Sequence, residues 1–192
     1  MVDIDGEVVG WCKDHMQTWH QGAFDHPKSE VVIADAKKYI EETKEKFDVI
    51  ISDLPSAAES GPAVRLYTVE FYRELTDKLK PDGILVLQAG SGNPIQIDLH
   101  LKLYGTLKKV FPVVRSYSAY VPSFDVPWAF LFCSKSGSCD PLALTGSTVD
   151  QRIHTRISKP LSFYDGTTHE GLFRIPKQMR KMLEREKGVI TL

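Results

Sequence analysis

"KFDVIISDLP" (46–55) decides how this chain is read. Phe47 to Ser52 is a short apolar run rich in β-branched residues, as expected of a strand covered on both faces of a parallel sheet. Asp53 follows at once, where such a strand presents its carboxyl end, and open α/β sheets bind ligands beyond those ends. The loop it opens, "DLPSAAESGPAVRLYT" (53–68), is too long and irregular for a plain connection. Loops of this kind over a rigid sheet often carry function. A partly desolvated carboxylate there can take a proton from an amine nucleophile or orient that amine. A turn-forming acid is the plainer alternative.

Upstream, "VVIA" (31–34) reads as a strand and "AKKYIEETKEK" (36–46) as the helix after it. The first residues, "MVDIDGEVV" (1–9), read as the end of a buried strand running into a helix. Asp3 and Asp35 therefore also stand at strand ends. An acid after one strand can accept both ribose hydroxyls, and an acid after the next can accept from an adenine amino group, so the spacing suggests a nucleoside. Each acid can equally cap the helix that follows it, and capping does not exclude ligand binding.

Downstream, "YTVEFYRELTDKLK" (67–80) predicts a helix ended by Pro81-Asp82-Gly83, and "GILVLQ" (83–88) predicts a buried strand. A helix is expected over roughly 96–110. "VVRSYSAYV" (113–121) and "WAFLFCS" (128–134), joined by "PSFDVP" (122–127), predict antiparallel strands. The rest is a charged tail with one helix expected at 176–187. The pattern predicts an α/β fold: a doubly wound, mostly parallel Rossmann-like sheet with antiparallel strands last. One domain over 1–192 is expected, with 136–192 as a C-terminal extension packed on the sheet.

Composition narrows the function classes. With 42% hydrophobic and 26% charged residues and a formal net charge of -1, the chain has no overall attraction for phosphate backbones, so nucleic acid is not an expected partner. No apolar run is long enough for a membrane helix, and no secretory leader is evident. Cys12, Cys133 and Cys139 are odd in number and not spaced as paired ligands, which suits inert thiols in a reducing cytoplasm. A cytoplasmic protein without a metal site is expected.

Taken together, "VDIDGEVV", "WHQGAFDHP", "ADAKKYI", "KFDVIISDLP", "GPAVRLYTVEFY" and "KPDGILVLQAG" resemble the polyamine aminopropyltransferases, the spermidine synthase family. "VFPVVRSYSAYVPSFDVPWAF" (110–130) looks closest to the thermospermine synthase-like branch. The resemblance covers nearly the whole chain. It implies transfer of an aminopropyl group from decarboxylated S-adenosylmethionine to a diamine or polyamine, with release of methylthioadenosine. It implies no cofactor beyond that co-substrate, no metal, and a homo-oligomer, dimer or tetramer. By the same resemblance Asp3 would hold the ribose hydroxyls, Asp35 with Ala36 would hold the adenine, and Asp53 would bind and deprotonate the attacking nitrogen. Gln88 would line the cleft, and Phe124 and Asp125 would belong to the amine pocket. Spermidine synthases tend to have tyrosine where Phe124 stands, and the branch usually carries its acid one position after Asp125. Trp19 and His20 match the family as an adenine-side lip. Tyr67 matches an aromatic position and reads as packing more than chemistry. His100 and His169 read as structural.

Two departures stand out. The resemblance begins after the family's β-rich N-terminal domain and glycine-rich loop, so the chain corresponds to roughly the C-terminal two-thirds of such an enzyme. The sheet is then expected to be incomplete at its first, central strand. The strands flanking the gap would pair directly, receive another chain, or mark a truncated product. The second departure is in the loop: the family pattern D-x-x-D-P has Ser56 at its second acid. A hydroxyl accepts a hydrogen bond from an ammonium but does not neutralise it. Glu59 could substitute if the loop folds back. Two alternatives to aminopropyl transfer follow. One is a non-catalytic relative that binds nucleoside or polyamine, or assembles with a complete homologue. The other is an S-adenosylmethionine-dependent methyltransferase, which shares the fold.

Overall fold

The computed structural model describes residues 1–55 and 62–192. They form two compact units, Met1–Glu45 and Lys46–Leu192.

The first unit is built on strands β1 (Val2–Asp3) and β2 (Val32–Ile33), which run parallel with Val2 opposite Val32 and Asp3 opposite Ile33. Helices α1 (Gly6–His15) and α2 (Gln17–His20) follow β1, and α3 (Ala36–Glu42) follows β2. The strand-to-helix junctions are made by acids. Asp5, not Asp3, caps α1, its carboxylate accepting from the Val8 N–H at 2.9 Å. Asp35 caps α3, accepting from the Lys37 N–H at 2.8 Å. A carboxylate at these positions satisfies a first-turn amide and meets the positive end of the helix dipole.

The second unit holds β3 (Phe47–Ser52), β4 (Leu79–Ser91), β5 (Val113–Val121) and β6 (Val126–Ser134) in the order β3-β4-β6-β5. β3 and β4 are parallel, whereas β6 is antiparallel to both β4 and β5. The fold is thus α/β with a mixed sheet. Side chains alternate across the sheet, so Leu85, Leu87 and Ala89 on β4 and Ala129, Leu131 and Cys133 on β6 are buried. Helix α4 (Val69–Lys78) contributes Phe71, Tyr72 and Leu75 to the core, and α5 (Asp98–Leu107) contributes Leu101, Leu103 and Leu107. Leu183 of α8 (Lys177–Arg185) packs with Ile97 and Leu101. The last residues tie the helices together. The Val69 N–H, in the first turn of α4, donates to the Ile190 carbonyl at 2.9 Å, and the Ile190 N–H donates to Thr106 Oγ1 at 3.0 Å.

Three features differ from expectation. Pro81-Asp82-Gly83 does not end α4, which stops at Lys78. Leu79 already pairs with Phe47, and the next rung is Ile84 with Val49, so the Pro-Asp-Gly run forms a bulge inside β4. Glycine is required there, because a Cβ on Gly83 would lie 2.9 Å from the Lys80 carbonyl oxygen. Second, β3 is not covered on both faces: it is the edge strand of its sheet, and Val49 and Ile51 are 50% and 75% exposed. Third, the tail holds two further helices, α6 (Gly146–Arg156) and α7 (Gly166–Phe173). Thr145 and Asp165 cap them, and Phe173 packs its ring against Tyr117 and Phe132 of the sheet. Their apolar stripes are short (α6 buries only Val149), which hides them from a periodicity reading.

The histidines set aside as structural are held by packing. His100 is buried on α5, its Nε2 2.8 Å from Ser116 Oγ. His169 on α7 donates from Nε2 to the Pro141 carbonyl at 2.9 Å and so accepts at Nδ1 from the Tyr164 hydroxyl at 2.6 Å.

Candidate active site

The acids at the strand ends are where the sequence places them. In the first unit, pairing of β1 with β2 sets Asp3 at the carboxyl end of β1 and Asp35 just beyond that of β2, and Ala36 opens α3 directly after Asp35. Asp3 Oδ1 accepts from the Asp5 N–H at 2.9 Å, which anchors the carboxylate while leaving further lone pairs on its oxygens. Asp35 combines capping with the same strand-end position. Trp19 is 81% exposed, and His20 is engaged by the Lys13 carbonyl and the Gly22 N–H.

In the second unit, Ser52 lies opposite Leu87, so Asp53 follows the end of β3 beside Gln88; the strand expected to end at Gln88 runs on to Ser91, and Gln88 lies within β4, opposite Phe130 of β6. Asp53 is exposed rather than partly desolvated, because it lies one residue past the last rung of an edge strand. The backbone behind it is held firmly. Gln88 Nε2 donates to the Leu54 carbonyl at 2.5 Å, and the Tyr67 hydroxyl donates to the Pro55 carbonyl at 2.7 Å. Gln88 Oε1 accepts from the Gly90 N–H at 3.1 Å and from the Trp128 indole N–H at 3.0 Å. The ladder between β4 and β6 is irregular here, between Gln88 and Ser91, and Gly90 turns through a φ of 79° that suits glycine.

The β5–β6 turn completes this group. Phe124 lies against Trp128, ring centroids 4.2 Å apart. Asp125 adopts a left-handed φ of 52°, and its carboxylate accepts from the Tyr120 hydroxyl at 2.6 Å. That hydrogen bond raises the Tyr120 pKa. Burial, with the Asp53 charge adding to it, pushes the Tyr67 pKa up to about 12. The structure therefore gathers Asp53, Gln88 and Phe124 through contacts that run by way of Leu54 and Trp128, with Asp125 beside Phe124. Ser56 and Glu59 lie outside the described residues. Sequence reading passed over Trp128 and treated Tyr67 as packing. An indole or phenol placed in a core leaves a donor to satisfy, and that is the signal that could have flagged both.

Among the described residues there is no group of three or more His, Cys, Asp or Glu able to hold a metal, and no helix long and apolar enough to cross a membrane. Cys12, Cys133 and Cys139 are free thiols, Cys133 fully buried.

Comparison with known proteins gives this arrangement its context. The spermine/spermidine synthase domain matches residues 1–141. The chain belongs to this family. It is 42% identical over 191 residues to a polyamine aminopropyltransferase of Sulfolobus acidocaldarius and 44% identical over 191 residues to polyamine aminopropyltransferase 2 of Hyperthermus butylicus. Each alignment covers 100% of the chain and 62% of the relative, so the chain spans less than two thirds of the length of these relatives. Among solved structures it is similar to the spermidine synthase from Thermotoga maritima, with a TM-score of 0.75 and 28% identity over 95% of this chain and 58% of that one. A spermidine synthase in complex with the transition-state analogue AdoDATO matches equally well, with a TM-score of 0.75 and 28% identity over 95% and 60% of the two chains. A human methyltransferase-like protein at 22% identity and a TM-score of 0.57 shares the fold alone.

Proposed function

We propose that this spermine/spermidine synthase family member serves aminopropyl transfer from decarboxylated S-adenosylmethionine to an amine. The observation that carries the reading is Asp53 just past the end of β3 beside Gln88 on the adjacent parallel strand β4, in a chain whose full length aligns with polyamine aminopropyltransferases. Asp3 would hold the ribose hydroxyls, and Asp35 with Ala36 the adenine. Asp53 would accept a hydrogen bond from the acceptor amine and orient its lone pair toward the donor carbon next to sulfur. Attack forms the carbon–nitrogen bond and breaks the carbon–sulfur bond. The electron pair moves to sulfur, neutralising the sulfonium and releasing methylthioadenosine, and the nitrogen gives up its proton to the Asp53 carboxylate. The leaving group is already activated, so positioning and deprotonation are what the protein must supply. The exposed ring of Phe124 would line the methylene stretch of the amine, and Asp125 would pair with its distant ammonium. Ser56, in place of a second acid, would weaken the hold on the attacking end and throw more of the charge recognition onto Asp125.

The test is methylthioadenosine release by the purified chain given decarboxylated S-adenosylmethionine with putrescine, agmatine or spermidine in turn, beside a full-length family member as control. Release with one amine supports the reading and identifies the acceptor. Absence of release with every amine, the control being active, rejects catalysis by this chain. Tighter binding of S-adenosylmethionine than of its decarboxylated form would instead favour methyl transfer.

A further inference from the structure

Tyr67 carries a hydroxyl that packing does not require. The residue is 1% exposed and ends the helical turn Pro62–Tyr67. Phenylalanine would fill nearly the same volume. The hydroxyl donates to the Pro55 carbonyl at 2.7 Å and lies 3.3 Å from the Leu54 carbonyl, to which Gln88 donates at 2.5 Å. Two side chains from different elements thus hold the two consecutive carbonyls that follow Asp53. Asp53 itself lies outside the ladder of β3, which ends at Ser52. Without that double hold, an exposed acid at the head of a long loop has no fixed direction. Tyr67 is itself well anchored: the next residue, Thr68, caps α4 through the Phe71 N–H at 3.3 Å, and the Val69 N–H is bound by Ile190.

We propose that Tyr67 is a positioning residue for Asp53, its hydroxyl holding the Leu54–Pro55 backbone so that the Asp53 carboxylate is presented in one orientation at the tip of β3. A phenol raised to about 12 stays protonated throughout the neutral range, so Tyr67 acts as a steady donor and takes no proton from the amine. The kinetic consequence rests on the aminopropyl-transfer reading; the geometric one does not.

The experiment compares Tyr67→Phe with Tyr72→Phe. Tyr72 is fully buried on α4 and its hydroxyl has no hydrogen-bond partner among the described residues, so the second variant deletes the same atom without releasing any backbone. The carbon-13 carboxyl resonance of Asp53, assigned by its disappearance in Asp53→Asn, is recorded in each folded protein. Tyr67→Phe is expected to shift or split that resonance, and Tyr72→Phe to leave it in place. Where transfer is measurable, Tyr67→Phe should lower kcat by about tenfold to a hundredfold, the range for a misplaced reacting group, with the KM for the donor unchanged. Tyr72→Phe should turn over at the wild-type rate. An unmoved Asp53 resonance in Tyr67→Phe overturns the proposal. If no amine is turned over, the transfer reading fails by itself, and the resonance still decides the role of Tyr67. If Tyr67→Phe does not fold, 3-fluorotyrosine at position 67 keeps ring and donor while strengthening the donor; the Asp53 resonance must then move, and its failure to do so overturns the proposal equally.

Discussion

The Trp128 indole N–H and the Gly90 N–H both donate to Oε1 of Gln88, at 3.0 and 3.1 Å. With both donors on that oxygen, the amide nitrogen of Gln88 has to face the Leu54 carbonyl, the first of the two carbonyls behind Asp53. A residue of β6 therefore sets the orientation of a side chain on β4 that holds the loop after β3. Trp128→Phe keeps a six-membered ring against Phe124 while removing the indole donor and part of the ring volume. Loss of one such hydrogen bond should lower the transfer rate about tenfold with the fold intact. Steady-state kinetics beside circular dichroism checks this, and a wild-type rate would make the orientation of Gln88 immaterial.

Asp53→Asn keeps the size of the side chain but exchanges one acceptor oxygen for a donor amide and cannot take a proton. It should abolish transfer, by about a thousandfold or more, while methylthioadenosine binding measured by calorimetry stays close to wild type. Equal turnover in the variant would remove Asp53 as the base.

The turn-forming and ligand roles of Asp3 can be separated. Asp3→Asn retains an oxygen for the Asp5 N–H but loses the charge that ribose hydroxyls would meet. Nucleoside affinity should fall about tenfold or more, with little change in thermal stability. Unaltered affinity in both Asp3→Asn and Asp3→Ala would leave Asp3 a purely structural acid.

His100 makes stability depend on pH. Burial lowers its pKa from 6.5 to about 4. The folded state then holds the ring neutral while the unfolded chain binds a proton, so stability is full above 6.5 and is lost as pH falls from 6.5 toward 4. Complete expression of that shift is on the order of 3 kcal/mol. Urea titrations at pH 7, 5.5 and 4.5 should show the decline, and His100→Asn, which keeps a partner for Ser116, should flatten it. An unchanged slope in that variant would place the acid sensitivity elsewhere.

Arg115 and Asp140 form a two-pronged, half-buried ion pair, with Arg115 Nε 2.9 Å from Asp140 Oδ1. The arginine hydrogen bond, with that from the Leu142 N–H, holds the Asp140 carboxyl below its usual range. A depressed carboxyl pKa contributes stability that is present above the unfolded pKa and lost as pH falls through the folded one. Arg115→Met should therefore destabilise the protein by about 1 kcal/mol at pH 7, and by progressively less below pH 4. A deficit independent of pH would mean that the arginine acts through packing.

The strands and the acids at their tips were legible because apolar β-branched runs followed by Asp are a local signal, and "FDVIIS" matches β3 residue for residue. What escaped depends on contacts distant in sequence. The bulge at Pro81–Gly83 exists because Leu79 finds Phe47, a pairing that no window around Pro81 contains. Val49 and Ile51 share one face of β3, and their exposure depends on what packs over that face, which the local sequence does not state. Helices α6 and α7 bury too little to show a stripe. Asp3, Asp35 and Asp53 were singled out from their places at strand ends, and Gln88 from the end of a predicted strand that in fact runs on to Ser91. Trp128 and the hydroxyl of Tyr67 were not, because their partners are the Gln88 side chain and two backbone carbonyls far along the chain.

The hydrogen bond from the Val69 N–H to Ile190 has a consequence for the order in which the protein matures. A chain leaves the ribosome amino end first, and its early segments can begin to fold before the rest is made. The Val69 N–H cannot meet its acceptor until residue 190 has emerged, and an encounter across so long a loop is slow to form. Because α4 begins directly after Tyr67, the element that carries this support of Asp53 is fastened by a segment made after all four strands of its sheet. A newly made molecule should pair β3, β4, β5 and β6 before this fastening is made.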